Sequence, residues 1–277
     1  MFNYLKESFK RKRARRITQE YPPRVDEFNL SEEGLVKFAN WENPLVPQIE
    51  LTQSEVNFFK KFIKRGDVVI DIGANIGDLT VPMALASGKE GVVFGFDPNP
   101  FVYKILQKNA ELNQDKTNIV PLLNAISSDE GEYYYTSSEA SFANGGISTS
   151  KKNRHGKFVY PEKIKGIDLT KYLKEKHSDL LDKLSFIKID TEGYDKEIIK
   201  SISPLIKEYK PYLVAESFGK SSDEDKKELF EVIKQLDYDI FYFEDFIENT
   251  KTKEIKTPED MVSWKQTIDV YAMPKDK

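Results

Sequence analysis

The chain has 277 residues, 39% hydrophobic and 12% aromatic, enough apolar material for one large domain or two small ones. Its net charge of −4 and pI near 5.5 give no global reason to expect nucleic acid as a partner. The absence of cysteine excludes disulfides, thiolate metal sites and cysteine nucleophiles, and two histidines, His155 and His177, cannot build a histidine cage for a metal.

Residues 1–16 carry Lys6, Lys10, Arg11, Lys12, Arg13, Arg15 and Arg16 against one acid, Glu7. Phe2, Leu5 and Phe9 fall beside them at helical spacing. This reads either as a solvated arm or as a short basic amphipathic helix making weak contact with a membrane surface or an acidic partner. No signal-peptide core follows, and no apolar run approaches the roughly 18–20 residues of a membrane span. The expected location is cytoplasmic, peripheral to a membrane if the basic end engages one. Residues 17–50, with Pro22, Pro23, Pro44 and Pro47, read as an extended lead-in, so 1–50 is expected to precede a domain over 51–277.

Thr52 or Ser54 can cap a helix whose apolar face is Val56, Phe58, Phe59, Phe62 and Ile63, ending at Arg65-Gly66-Asp67. Strands and helices then alternate: strand 68–72, helix 77–87, strand 92–96, helix 101–113 and strand 118–123. Glu132–Thr136 can be a strand. Residues 137–163 break the rhythm and read as an insertion loop, carrying Lys151, Lys152, Arg154 and His155. Ile167–Lys183 is helical in part, with His177 at the surface. Alternation resumes with strand 184–189, helix 194–202, strand 212–215, helix 223–236, and strands 238–243 and 267–273. Buried strands alternating with helices predict an α/β fold with a mostly parallel sheet covered on both faces. The last two strands suggest an antiparallel edge.

The most informative stretch is Val68-Val-Ile-Asp-Ile-Gly-Ala-Asn-Ile-Gly77 followed by Val92-Val-Phe-Gly-Phe-Asp97. A buried strand, a glycine turn opening a helix, and a second strand ending in an acid make a nucleoside-cofactor site. A dinucleotide fold needs G-x-G-x-x-G; here Asn75 occupies the middle position, where its side chain would crowd a pyrophosphate. A phosphate-free ligand such as S-adenosylmethionine (SAM) suits the turn better. No P-loop pattern occurs. In such sheets ligands sit beyond the carboxyl ends of the strands, so the tips to inspect are Asp71, Asp97, Asn124, Asp190 and Glu216.

Residues 69–77, Phe96-Asp-Pro-Asn-Pro100, Asn124-Ala-Ile-Ser127, Ile167-Asp-Leu169, Lys188-Ile-Asp-Thr-Glu-Gly193 and Pro211–Glu216 together resemble the FkbM family of SAM-dependent methyltransferases, over roughly 51–273. The family usually shows Glu-Pro where this chain has Asp97-Pro98, and a shorter acid must sit closer to a ribose. The resemblance implies a class I methyltransferase, Rossmann-like fold: a mostly parallel seven-stranded sheet with an antiparallel last strand. It also implies methyl transfer, usually to a hydroxyl of a sugar, glycan or related natural product.

The expected cofactor contacts are Gly73 and Gly77, whose turn brings N–H groups to the methionine carboxylate. Asp71 would hold the ammonium directly or through water and can fix the turn, Asn75 would stand near the same group, Asp97 with Pro98 at the ribose, and Asn124 and Ala125 at the adenine. Glu192 and Asp190 are the expected catalytic pair, two close carboxylates of which one has a raised pKa and acts as base. His155 is a rival base. A Mg²⁺ site on Asp190 and Glu192 lacks a third ligand pattern, so no metal is expected. Against an O-methyltransferase stand two alternatives, an N- or protein-methyltransferase and a non-catalytic nucleoside-binding domain.

Overall fold

The computed structural model of the chain describes residues 2–128, 130–151 and 155–275. Lys152, Arg154 and the Phe2 side chain lie outside the described parts. Helix α1 (Phe2–Ala14) precedes a hairpin of β1 (Pro23–Leu30) and β2 (Gly34–Trp41). There follow α2 (Gln53–Lys60), β3 (Val68–Ile72), α3 (Thr80–Ser87), β4 (Val92–Phe96), α4 (Pro100–Leu112), β5 (Ile119–Leu122) and β6 (Ala125–Ile126). Next come β7 (Gly131–Ser137), β8 (Gly146–Ser148), β9 (Phe158–Ile167), α5 (Leu169–Lys176), β10 (Leu184–Ile189), α6 (Asp195–Ser201) and α7 (Ser203–Tyr209). The chain closes with β11 (Tyr212–Ser217), α8 (Asp223–Lys234), β12 (Tyr238–Phe243), β13 (Thr252–Ile255), α9 (Pro258–Val262) and β14 (Ile268–Pro274).

The main sheet has the order β13-β12-β14-β11-β10-β3-β4-β5. From β11 to β5 every neighbour is parallel, and β14 is antiparallel to both β11 and β12. This is the class I methyltransferase order, with an eighth strand, β13, added at one edge. The last two predicted strands, β12 and β14, pair antiparallel at this end of the sheet as expected, with the last one, β14, inside. It slots between β11 and β12 because the chain crosses over through β13 and α9 before returning.

Alternation along the strands explains both faces. Ile70 and Ile72 of β3 and Ile187 and Ile189 of β10 pack toward α6, α7 and α8. Val69 and Phe186 point the other way, into a core with Val56, Phe59 and Val81. Asp71 and Lys188 belong to this second face and are direct partners in the β3–β10 register.

Three expectations change in detail. Residues 23–41 of the extended lead-in pair with each other as a hairpin, and it is tied down by α4. Asn109 donates to the Ala39 carbonyl and accepts from its N–H, and Asn113, one turn on, does the same with Lys37. Segment 137–163 is not a bare loop: β8 and the start of β9 join β7 and β6 in a four-stranded sheet of order β6-β9-β7-β8. His177 is half-buried rather than at the surface, its ring 4.7 Å from that of Phe94 and 5.6 Å from that of Tyr172.

Candidate active site

Strand order reverses between β3 and β10, and a cavity of about 640 Å³ opens beyond their carboxyl ends. That volume lies within the roughly 300–1,000 Å³ of small-molecule sites. The small sheet roofs it. Gly73, Asn75, Asp97, Pro98, Asn124 and Ala125 all line it, as do Asp190, Glu192 and His155.

Asp97 immediately follows β4 and is 8% exposed. Its carboxylate is fixed by two backbone donors, the N–H of Asn75 at 2.9 Å on one oxygen and that of Asn99 at 2.7 Å on the other. Burial pushes the carboxyl up to about 7, against the pull of those two donors. Each oxygen keeps a second lone pair for a hydroxyl. Asn75 holds its place with φ of +48°, a left-handed conformation that asparagine tolerates better than most residues.

Two expected contacts move behind the wall. Asp71 does not line the cavity: it is fully buried, accepting from Lys188 Nζ at 3.1 Å on Oδ1 and from Thr80 Oγ1 at 2.6 Å on Oδ2. An acid so engaged fixes the turn, the second of its two expected roles. Gly77 also stands outside, where a methyl group would press on Leu106 at 3.0 Å. The glycine N–H groups are spent inside the fold. Gly73 and Ala74 both donate to the Phe96 carbonyl, at 2.9 and 3.0 Å, and Gly77 donates to that of Ala74 at 2.8 Å. Gly73 is needed for a different reason. Its φ is +79°, and a methyl group there would stand 1.9 Å from the Asp190 carbonyl oxygen, so only glycine lets the tips of β3 and β10 meet.

Lys188 is the residue that the motifs pointed past. Its side chain is 4% exposed, and its ammonium bonds Asp71, the Gly73 carbonyl at 3.2 Å and, at 3.6 Å, Asp190. Burial works against its charge, yet Asp71, Asp190 and Asp78 hold it above the usual lysine range. A lysine inside the buried run Leu-Ser-Phe-Ile-Lys-Ile is the signal that could have exposed it.

Glu192 lies two residues beyond Asp190 in a left-handed conformation, φ +56°. Burial raises its carboxyl, the nearby charge of Asp190 adds to the rise, and Lys220 opposes it. A non-glycine residue held at positive φ in a cavity wall is a place where the fold stores strain for positioning. His155 is half-buried, its imidazole laid against Gly146, where a methyl group would come within 2.6 Å of the ring. Tyr133 and Tyr135 line the cavity too and were missed, although strand alternation puts both on one face of β7. The Tyr133 hydroxyl shares a 2.8 Å hydrogen bond with Ser127 Oγ. Burial, with the charge of Asp97, pushes the Tyr135 hydroxyl well above its ordinary range.

Behind Glu192, further acids gather at the start of α6 and the tip of β11. Asp195 accepts from Thr191 Oγ1 at 2.9 Å and from the Glu216 N–H at 3.0 Å, and burial lifts it to about 7. Glu216 goes to about 9, through burial first and then Asp190 and Asp195, and its Oε2 has no partner among the described residues. No group of three or more His, Asp or Glu among those residues is arranged to hold a metal ion.

Glu216 therefore binds its proton more tightly folded than unfolded. Its contribution to stability is complete below about 4.5 and is lost as the pH climbs toward about 9. Glu216→Gln, neutral at every pH, is expected to match wild type in urea denaturation near pH 4.5 and to exceed it by about 1–3 kcal/mol near pH 9. A difference that does not grow with pH would place this carboxyl in water.

A family model, the Methyltransferase FkbM domain, matches residues 71–240. The probable cobalt-precorrin-6B C(15)-methyltransferase (decarboxylating) of Saccharolobus solfataricus is 36% identical over 76 residues. That match takes in 26% of this chain and spans 38% of the relative's length. Among solved structures, a methyltransferase FkbM from Methylobacillus flagellatus is 16% identical, with a TM-score of 0.45 over 79% of this chain and 51% of that one. A SAM-dependent O-methyltransferase from Thermotoga maritima is 11% identical, with a TM-score of 0.42 over 91% of this chain and 78% of that one.

Proposed function

Because this chain belongs to the FkbM methyltransferase family, which implies SAM as its cofactor, we propose that it methylates a hydroxyl oxygen of a sugar, glycan or related natural product through the domain spanning 51–277. The observation that carries this reading is one cavity holding both a buried carboxylate for a ribose, Asp97, and a carboxylate of raised pKa, Glu192, beneath a rim of hydroxyl and amide side chains. Asn144, Ser148 and Thr149 supply that rim and suit an acceptor rich in hydroxyls.

The residues fit SAM. Asp97 would take the ribose hydroxyls with its remaining lone pairs, Asn124 and Ala125 would border the adenine, and Asn75 and Asp190 would flank the amino-acid end. When bound, SAM supplies an electrophilic methyl carbon on a sulfonium leaving group. What remains for the protein is to align the acceptor, exclude water and remove one proton. Glu192 would take that proton on its carboxylate, and the roof of β7, β8 and His155 would hold the acceptor in line.

Two measurements test the proposal together. Calorimetry on Asp97→Ala is expected to show SAM binding weakened by about 1.5–3 kcal/mol, with folding intact. Transfer of labelled methyl from SAM is expected to a panel of sugars and glycans and not to amines or peptides. Transfer confined to amines would move the protein to the N-methyltransferases. SAM binding with no transfer to any panel would favour a nucleoside-binding role.

A further inference from the structure

The site uses nothing of α1, yet this helix is the most polarised part of the molecule. Residues 1–16 hold seven cations and one acid in a chain whose net charge is −4. Glu7 is taken by Lys10 at 2.8 Å, and Arg15 pairs with Glu139 at 3.3 Å. Lys6, Arg11, Lys12, Arg13 and Arg16 make no ion pair among the described residues. Beside these charges Leu5 is 58% exposed, Phe9 68% and Tyr4 70%, and Ile17 just beyond the helix is 50% exposed. Leu5 and Phe9 are one turn apart and share a face. Half of the large apolar side chains left exposed among the described residues lie in this short stretch.

The far end of the helix is anchored. Ala14 is fully buried, and the Arg15 carbonyl accepts from the Ala140 N–H at 3.3 Å. Ala140, Ser141 and Phe142 are buried, Phe142 stacks on Phe101 at 4.9 Å, and its carbonyl accepts from Asn99 Nδ2 at 2.8 Å. Asn99 in turn fixes Asp97, and Ala143 and Asn144 line the cavity. A short, stiff chain of contacts thus joins the basic helix to the cavity wall.

We propose that α1 seats the enzyme on an anionic lipid bilayer and holds the cavity beside it, so that the acceptor is a hydroxyl carried on a membrane lipid or lipid-linked glycan. Cations flanking a narrow apolar stripe are what an interfacial helix presents to acidic headgroups and the acyl boundary. Charge complementarity decides the occupant. An acidic protein would satisfy the lysines and arginines but leave Leu5 and Phe9 in water, and a stripe this narrow falls well short of the roughly 800 Å² per partner of a stable protein interface. The docking half of the proposal stands by itself; the acceptor half rests on the O-methyltransferase reading.

The test uses the full chain and vesicles of phosphatidylcholine mixed with phosphatidylglycerol, against phosphatidylcholine alone. Sedimentation with the mixed vesicles is expected, weakening with salt. Leu5→Ser with Phe9→Ser, or glutamine at Lys6, Lys12 and Arg13, is expected to cut binding about tenfold or more. SAM affinity by calorimetry should stay unchanged in these variants, since none of them touches the cavity. Failure to bind mixed vesicles, binding indifferent to either variant, or tighter capture by RNA or an acidic polypeptide would overturn the docking. With docking intact, methyl transfer to a soluble glycan as fast as to the same glycan on a lipid would overturn the acceptor half alone. No transfer to either, with SAM bound, would instead count against the enzymatic reading.

Discussion

Lys188→Met is expected to cost about 3–5 kcal/mol of stability, the penalty for leaving a buried charge without its partner. The abandoned charge is Asp71, which is fully buried and keeps only the Thr80 hydroxyl once the lysine is gone. Methionine fills much of the same space, so lost packing is a minor part of the effect. Urea denaturation should show the change, and thermal unfolding should fall by roughly 6–20 °C. Adding Asp71→Asn to Lys188→Met should recover a large part of the loss, because the amide can still accept from Thr80 and the fully buried charge is removed, leaving only Asp190 and Asp78 without the lysine's compensation. Loss below about 1 kcal/mol in the single variant, or no recovery in the double, would mean that the pair is not what fixes the tips of β3 and β10.

This pair also shows where the sequence was legible and where it was not. The strands, the glycine turn and Asp97 could be read because each is announced within a few residues: an apolar run, a left-handed turn, an acid at a strand tip. Nine of the named site residues, from Gly73 to Glu192, accordingly reach one cavity. Asp71 was legible as an acid at a tip but not as a buried partner. What decides its role is a lysine 117 positions away, set opposite it only by the register of β3 with β10. Gly77 has the same history, since its neighbours Leu106 and Asn109 belong to α4. The small sheet escaped because Ser, Asn and Gly dominate 137–156, and its pairing of β7 with β9 spans long separations that no local period records. His177 looked exposed in a charged segment, and only the packing of α5 on β4 turns its ring toward Phe94.

Glu192→Gln is expected to lower turnover by about 10²-fold or more while SAM affinity stays nearly unchanged. The amide keeps the shape of the side chain and cannot accept the acceptor's proton. Glu192 lines the cavity, and its backbone is held at φ +56°. Its carboxyl is raised first by burial and then by the charge of Asp190, which brings it closer to the working pH of a base. The sign of the pH profile follows. Wild-type turnover should rise with pH as this carboxyl loses its proton, above the usual carboxylate range, and the glutamine variant should lack that limb. His155→Ala is the paired measurement, because the imidazole against Gly146 borders the same cavity. It is expected to change the acceptor's KM more than kcat, as a wall of the roof would. If His155→Ala alone removes the pH limb and Glu192→Gln keeps full turnover, the proton leaves through the imidazole, and Glu192 is strained for the sake of shaping the turn into α6.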